Sequence, residues 1–95
     1  MQKNGKPIEI RFEAFPEDLR GKIYGLSKDT GRSYLILIDS TQDTQTQRRA
    51  IGHELAHVFL NHHGQTGRPV KELEKEADEM AAHFYREYEA EIISN

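Results

Sequence analysis

The sequence predicts an α+β fold in which a short antiparallel sheet of about three strands packs against two helices. Two observations support this prediction. Before residue 40, short runs rich in Ile, Leu, Tyr and Phe are separated by Gly and Pro, as in strands joined by turns. After residue 44, apolar residues recur every three or four positions, which is the period of a helix. We expect the 95 residues to form one domain, residues 1–95, whose polar residues 1–6 are flexible.

Three strands are predicted, spanning residues 8–13, 22–27 and 32–39. The first alternates apolar and charged side chains, as a half-buried strand does. The second is weakened by Gly25, and the turn sequence at 28–31 joins it to the third in a hairpin. Because residues 35–38 are all apolar, the third strand is expected at the centre of the sheet or covered on both faces.

Two helices are predicted after the strands. The first begins near residue 44 or 46, within a polar segment that offers several N-cap residues, and ends near residue 62, before Gly64. The second runs from about residue 70 or 71 to residue 92. Its apolar residues share one face, which predicts burial against the rest of the domain; they are Leu73, Ala77, Met80, Ala81, Phe84 and Tyr88.

The first predicted helix contains the motif H-E-x-x-H, as His53-Glu54-Leu55-Ala56-His57. Positions i and i+4 lie on one face of a helix about a turn apart, so the two imidazoles can bind one zinc ion. A Glu next to the first His can act as the general base of a metallopeptidase. The motif therefore predicts a zinc site with His53 and His57 as ligands and Glu54 as the catalytic base.

A catalytic zinc site usually needs a third protein ligand, and the chain contains no cysteine. The second helix places Glu74 and Asp78 four residues apart on one face. One of these carboxylates can bind the metal while the other accepts a hydrogen bond from a ligand histidine. The residues expected to lie outside the site are Glu76 and Glu79, facing solvent, and His62 and His63, at the end of the first helix.

Composition argues against several classes of partner. The formal net charge is −3 and there is no dense Lys/Arg patch, so a nucleic-acid partner is not expected. The chain has no apolar run near the roughly 18 residues of a membrane-spanning helix, and its first residues lack the apolar core of a signal peptide. We therefore expect a cytoplasmic protein without a membrane partner.

Three segments in order resemble the ImmA/IrrE family of metallopeptidases. They are the strand at 34–39, the segment 48–60 with Arg before H-E-L-x-H, and the segment 74–82, which begins Glu74-Lys75-Glu76-Ala77-Asp78. The resemblance covers about residues 34–84. It implies a zincin-like fold and a zinc cofactor. It also implies a set of roles: His53, His57 and Glu74 as ligands, Glu54 as base, and Asp78 as the carboxylate behind a ligand histidine.

The sequence departs from the family at three points. Asp78 stands where the family often has Asn, and Met80 stands where it has Phe. The chain also lacks later elements that are common in the family, so we expect a minimal version of the domain.

The resemblance implies a reaction and a substrate class as well. These are hydrolysis of peptide bonds in an intracellular protein, and the substrates of the family are often helix-turn-helix transcriptional repressors. Tyr85 and His83 are candidates for stabilising the oxyanion, although a packing or solvent-exposed role is expected more often for such residues. The alternative function is a non-catalytic zincin-like module that binds a protein partner or senses metal. A third interpretation, a metal-free helical domain, would make the histidines incidental.

Overall fold

The computed structural model describes residues 1–93. Its elements in chain order are β1 (Gln2–Lys3), β2 (Lys6–Glu13), β3 (Gly25–Asp29), β4 (Tyr34–Asp39), α1 (Thr44–Phe59), a one-turn 3₁₀ helix (His62–Gly64) and α2 (Val70–Ile93). The predicted α+β class, a sheet packed against two helices, is confirmed.

The sheet is mixed, with the strand order β1-β2-β4-β3. β3 and β4 form the predicted antiparallel hairpin, with Gly25 opposite Ile38. β2 runs parallel to β4, with Ile8 opposite Tyr34, which corrects the prediction of an antiparallel sheet for this pair. The connection at residues 14–24 carries the chain from β2 to the far side of β4, so β3 pairs on the opposite edge. Alternation of apolar and charged residues predicts which face of a strand is buried, but it does not predict which strand pairs with it or in which direction.

Residues 1–6 differ from the flexible segment that the sequence predicts. They form β1 and a tight turn that pairs β1 antiparallel with the start of β2. Asn4 and Gly5 in the turn both have positive φ, 53° and 80°, as the two central residues of a type I′ hairpin require. The Lys3 ammonium donates a hydrogen bond of 2.7 Å to the carbonyl of Val58 at the end of α1. The Asn-Gly pair is the sequence signal for this fourth strand.

The core lies between the inner face of β4 and α1. Its largest fully buried apolar side chains are Ile36, Ile38, Leu55 and Val58. Leu35 and Leu37, on the other face of β4, are half-buried. β4 therefore occupies the centre of the sheet, which was one of the two predicted arrangements.

α1 and α2 approach each other closely at Gly52. A Cβ atom placed on Gly52 would lie 2.1 Å from the carbonyl oxygen of Ala81 in α2. Further along, the rings of Phe59 and Tyr88 stack with centroids 4.7 Å apart. Gly52 thus permits the helix contact that brings the residues of α2 next to the H-E-x-x-H motif.

Asp39 at the end of β4 holds the loop after the sheet in place. The side chain is fully buried and accepts hydrogen bonds from the backbone of Phe15, from the backbone and hydroxyl of Thr41, and from the amide of Gln42. Burial alone would raise the pKa of Asp39, but these donors outweigh it and lower the pKa to about 2.

This depressed pKa predicts a pH-dependent contribution to stability. The pKa of Asp39 is lower in the folded chain than its ordinary value of 3.8, so the ionised form stabilises the fold. This stabilisation is fully present above pH 3.8 and is lost as the pH falls towards 2. Asp39→Asn is expected to lower the melting temperature at pH 7 by on the order of 5 °C. Thermal melts at pH 2, 4 and 7, with both proteins free of metal, check this. A difference between the two proteins that does not narrow from pH 4 to pH 2 would contradict it.

Neither helix within residues 1–93 is long and apolar enough to cross a lipid bilayer.

Candidate metal centre

The contact between α1 and α2 brings two histidines and a carboxylate together. His53 Nε2 lies 3.1 Å from His57 Nε2, and Glu74 Oε2 lies 2.7 Å from the first and 3.3 Å from the second. His53 and His57 project from successive turns of α1, and Glu74 projects from the first part of α2. The structure therefore places the three predicted ligands in one cluster.

Hydrogen bonds on the far sides of both imidazoles determine which nitrogens face the cluster. His53 Nδ1 lies 2.8 Å from Asp78 Oδ1, and His57 Nδ1 lies 2.8 Å from His62 Nδ1. Asp78 accepts the Nδ1 proton of His53, as predicted for the carboxylate behind a ligand histidine. With a proton on Nδ1, a neutral imidazole turns the lone pair of Nε2 towards the cluster.

The donor set fits a zinc ion. Imidazole and carboxylate are common zinc ligands, and bonds of about 2.0–2.1 Å at tetrahedral angles place ligand atoms about 3.3 Å apart. The separations of 2.7–3.3 Å among His53, His57 and Glu74 are close to that value. Two lone pairs and a carboxylate oxygen at this range repel one another unless a cation or a proton lies between them.

Burial favours the neutral form of His57. It lowers the pKa of His57, an effect that the Glu74 carboxylate opposes and that His53 and His62 reinforce. A neutral imidazole is the form that binds a metal ion.

Glu54 lies beside the cluster with its side chain almost fully buried. Burial raises the pKa of Glu54, and the Glu74 carboxylate adds to the rise, while a hydrogen bond from Ser27 on β3 opposes it. Gly25 on β3 leaves room for this carboxylate, because a Cβ there would lie 3.2 Å from Glu54 Cγ. The glycine that weakens the strand prediction at residues 22–27 therefore leaves space for the side chain of Glu54.

The structure corrects the sequence prediction at three residues near the cluster. His63 does not lie away from the ligand face, because its ring centroid is 6.3 Å from that of His57 and its Nε2 lies 3.1 Å from Ser27 Oγ on β3. His62 is buried and contacts His57, and its Nε2 lies 2.7 Å from Glu76 Oε1. Glu76 therefore does not simply face solvent, and His62 does not lie away from the ligand face. The cause is Asn61, whose left-handed conformation, with φ 58° and ψ 37°, ends α1 and folds the chain back. Asn is among the few residue types that adopt this conformation readily, so Asn61 was the available signal.

A cleft of about 1190 Å³ runs along the cluster, between β3 and the two helices. Tyr85 lines the cleft, whereas His83 is exposed and packs edge-on against Phe84. Of the two predicted oxyanion candidates, only Tyr85 therefore faces the site.

Acidic and basic side chains both line the cleft. Its acidic residues, Glu54, Glu74 and Asp78, lie at the cluster. Its basic residues are Lys22, Arg48, Arg49 and Arg86. Arg49 lies one turn before His53 on α1, and Arg86 lies two turns after Asp78 on α2. Within residues 1–93, none of the four basic side chains forms an ion pair.

Comparison with known proteins gives one match. A family model described as Peptidase_M78, IrrE N-terminal-like domain, matches residues 6–93. No curated protein and no solved structure matches the chain. The family match confirms the resemblance carried by the three sequence motifs and extends it over nearly the whole chain.

Proposed function

Because the chain belongs to the Peptidase_M78 family of IrrE N-terminal-like domains, we propose that it is a zinc-dependent peptidase acting on a protein substrate. The observation that supports this most directly is the cluster of His53, His57 and Glu74 with a buried carboxylate, Glu54, beside it. A site that only holds a metal for structural reasons needs the ligands and has no use for an adjacent base.

The roles of the residues follow from their positions. His53, His57 and Glu74 would hold the zinc ion, which supplies Lewis-acid polarisation of the scissile carbonyl and a lowered pKa for the attacking water. Glu54 accepts the proton of that water and passes it to the leaving amine. Burial raises the pKa of Glu54, which brings it closer to the range in which a base can also act as an acid. Asp78 holds His53 in the tautomer that binds metal.

The cleft and its edge strand suggest how a peptide binds. β3 is the last strand of the sheet and lines the cleft at Gly25, Leu26 and Ser27. Its outer edge has backbone groups that β4 does not use, so an extended peptide can add to the sheet there. The peptide would then pass beside Glu54, which Ser27 contacts.

The basic residues that line the cleft favour acidic residues in the substrate. Arg49 lies one helical turn, about 6 Å, from His53 along α1, and an extended peptide advances about 3.3 Å per residue. Carboxylates about two to four residues from the cleaved bond would therefore meet Arg48, Arg49 or Arg86. Attraction to these cations lowers the energy of an acidic peptide in the cleft, whereas repulsion from them raises the energy of a basic peptide. The family resemblance adds helix-turn-helix repressors as the first proteins to examine.

Digestion of a peptide library made from a whole proteome tests both proposals. Zinc-loaded protein is expected to cleave a subset of the peptides, with cleavage lost on chelation and restored by one equivalent of zinc. Mass spectrometry of the products should show Asp and Glu enriched within a few residues of the cut bond. Arg49→Glu should abolish or reverse that enrichment, whereas Arg32→Ala, in the exposed β3–β4 turn, should leave it unchanged.

The possible failures of this experiment are distinguishable. Cleavage no greater than in the chelated sample would refute the peptidase and favour the non-catalytic binding module. Zinc-dependent cleavage without acidic enrichment, or with the same enrichment in Arg49→Glu, would refute the proposed role of the basic residues alone.

A further inference from the structure

A chain of hydrogen-bonded side chains lies behind the second histidine of the cluster. His57 Nδ1 lies 2.8 Å from His62 Nδ1, His62 Nε2 lies 2.7 Å from Glu76 Oε1, and Arg68 Nη2 donates to Glu76 Oε2 at 3.0 Å. Arg68 Nη1 also donates to the side chain of Gln65 at 2.7 Å. The contacts connect α1, the 3₁₀ helix, the following loop and α2 in one continuous path.

The protons in this path have a single consistent arrangement when both imidazoles are neutral. Glu76 accepts a hydrogen bond of 3.0 Å from the Arg68 guanidinium, and a carboxylate paired in this way also acts as the acceptor for His62. His62 must therefore carry its proton on Nε2, which leaves Nδ1 as an acceptor. His57 must then donate from Nδ1, so its Nε2 has a free lone pair on the side of Glu74 and His53.

We infer that His62, Glu76 and Arg68 are positioning residues that hold the imidazole of His57 in the tautomer and orientation required of a zinc ligand. The inference rests on the proposed zinc site. It goes beyond that proposal because it assigns a role in zinc binding to three residues that contact neither the metal position nor the cleaved bond.

Burial makes this path effective. The side chain of His62 is only 3% exposed, whereas those of Glu76 and Arg68 are each 37% exposed. Water therefore has little access to the contact between the two imidazoles and cannot easily replace His62 as the partner of His57. Arg68 at the outer end holds the carboxylate of Glu76 in place through its hydrogen bond.

The two ligand histidines consequently differ in their support. Behind His53 stands Asp78, a carboxylate whose side chain is 71% exposed. Behind His57 stands a buried imidazole, that of His62, whose own partner is Glu76. Loss of Asp78 leaves water free to replace it, whereas loss of His62 leaves the Nδ1 of His57 buried without a partner. We therefore expect the zinc affinity to depend more on His62 than on Asp78.

The first test is the tautomer of His57 in the metal-free protein, measured from its imidazole ¹⁵N shifts. The native chain is expected to show a proton on Nδ1 of His57. His62→Phe, which removes the acceptor at similar volume, should move His57 towards the Nε2-protonated tautomer. His62→Gln, whose amide can accept from His57 and donate to Glu76, should restore the native state. This readout requires neither zinc nor peptidase activity.

The second test is zinc affinity by competition with a chromophoric chelator. His62→Phe is expected to lower the affinity about 10–100-fold, Glu76→Gln by less, and Glu79→Gln, exposed on the same helix, not at all. Glu74→Ala should lower it more than any of them, since it removes a ligand. His62→Gln keeps the test decisive if His62→Phe does not fold.

An unchanged His57 tautomer in His62→Phe would overturn the inference, and so would a zinc affinity in His62→Phe and Glu76→Gln equal to that of the native chain. If His62→Phe does not fold, a His62→Gln variant that folds but binds zinc as weakly as Glu74→Ala would overturn it as well. Absence of peptidase activity with intact zinc binding would refute the proposed function and leave the positioning path standing.

Discussion

Glu54→Gln is expected to lower the rate of peptide hydrolysis by about 10²–10⁴-fold, the usual contribution of a general base, while the zinc content stays unchanged. Gln has nearly the shape of Glu and can keep a hydrogen bond with Ser27, so the buried site need not rearrange. It cannot accept the proton of the attacking water. Burial raises the pKa of Glu54, which means that the negative charge is less favourable in the folded protein than in water. Gln removes this charge, so the melting temperature should not fall.

Turnover, zinc content and melting temperature of Glu54→Gln should be measured beside Glu79→Gln, which makes the same chemical change on an exposed face of α2. Glu79→Gln is expected to match the native chain in all three. Full turnover in zinc-loaded Glu54→Gln would remove Glu54 from the role of base. Loss of zinc from that variant would show that Glu54 supports the metal directly.

Gly52→Ala is expected to destabilise the domain by about 3 kcal/mol or more, at the upper end of what overpacking costs. In an ordinary helix interior this exchange stabilises by up to about 1 kcal/mol. Here the added methyl would lie 2.1 Å from the carbonyl oxygen of Ala81, a backbone atom of α2 that cannot turn aside. The helices must separate instead, and Glu74 and Asp78 move away from the two histidines with α2. Zinc affinity should therefore fall together with stability.

Urea unfolding and chelator competition measure these two effects. Gly64→Ala is the matched control, since the atoms nearest to a Cβ there belong to the exposed side chain of Asn61, at 3.1 Å, and not to backbone. Ala81→Gly should not rescue Gly52→Ala, because the clash is with backbone. A Gly52→Ala protein as stable as the native chain and with native zinc affinity would mean that the helices do not approach this closely.

The cluster was predictable from sequence because its geometry is mostly local. His53 and His57 share a helix face through their spacing alone, and so do Glu74 and Asp78. The spacing alone does not predict that the two helices pack against each other. The family resemblance implied this contact, and it also identified Glu74 rather than Asp78 as the ligand.

What the sequence did not predict depends on contacts between distant segments. The side of β4 on which β2 pairs is decided by the path of residues 14–24, about which alternation in residues 8–13 says nothing. The position of His62 depends on a single left-handed residue, Asn61, and that of Glu76 on the angle at which α2 returns. Gly52 is a further example. A glycine within a helix is expected to be unfavourable, and only the close approach of Ala81 in α2 explains its presence.

Zinc content tests the central claim most directly. Native mass spectrometry of the full chain, purified without chelator and exposed to one equivalent of zinc, is expected to show one bound zinc ion per chain. The double variant His53→Ala/His57→Ala should show none under the same conditions, while the control variant Glu79→Gln should match the native chain. A native chain that remains free of zinc, or a double variant that binds as much zinc as the native chain, would contradict the proposed metal centre.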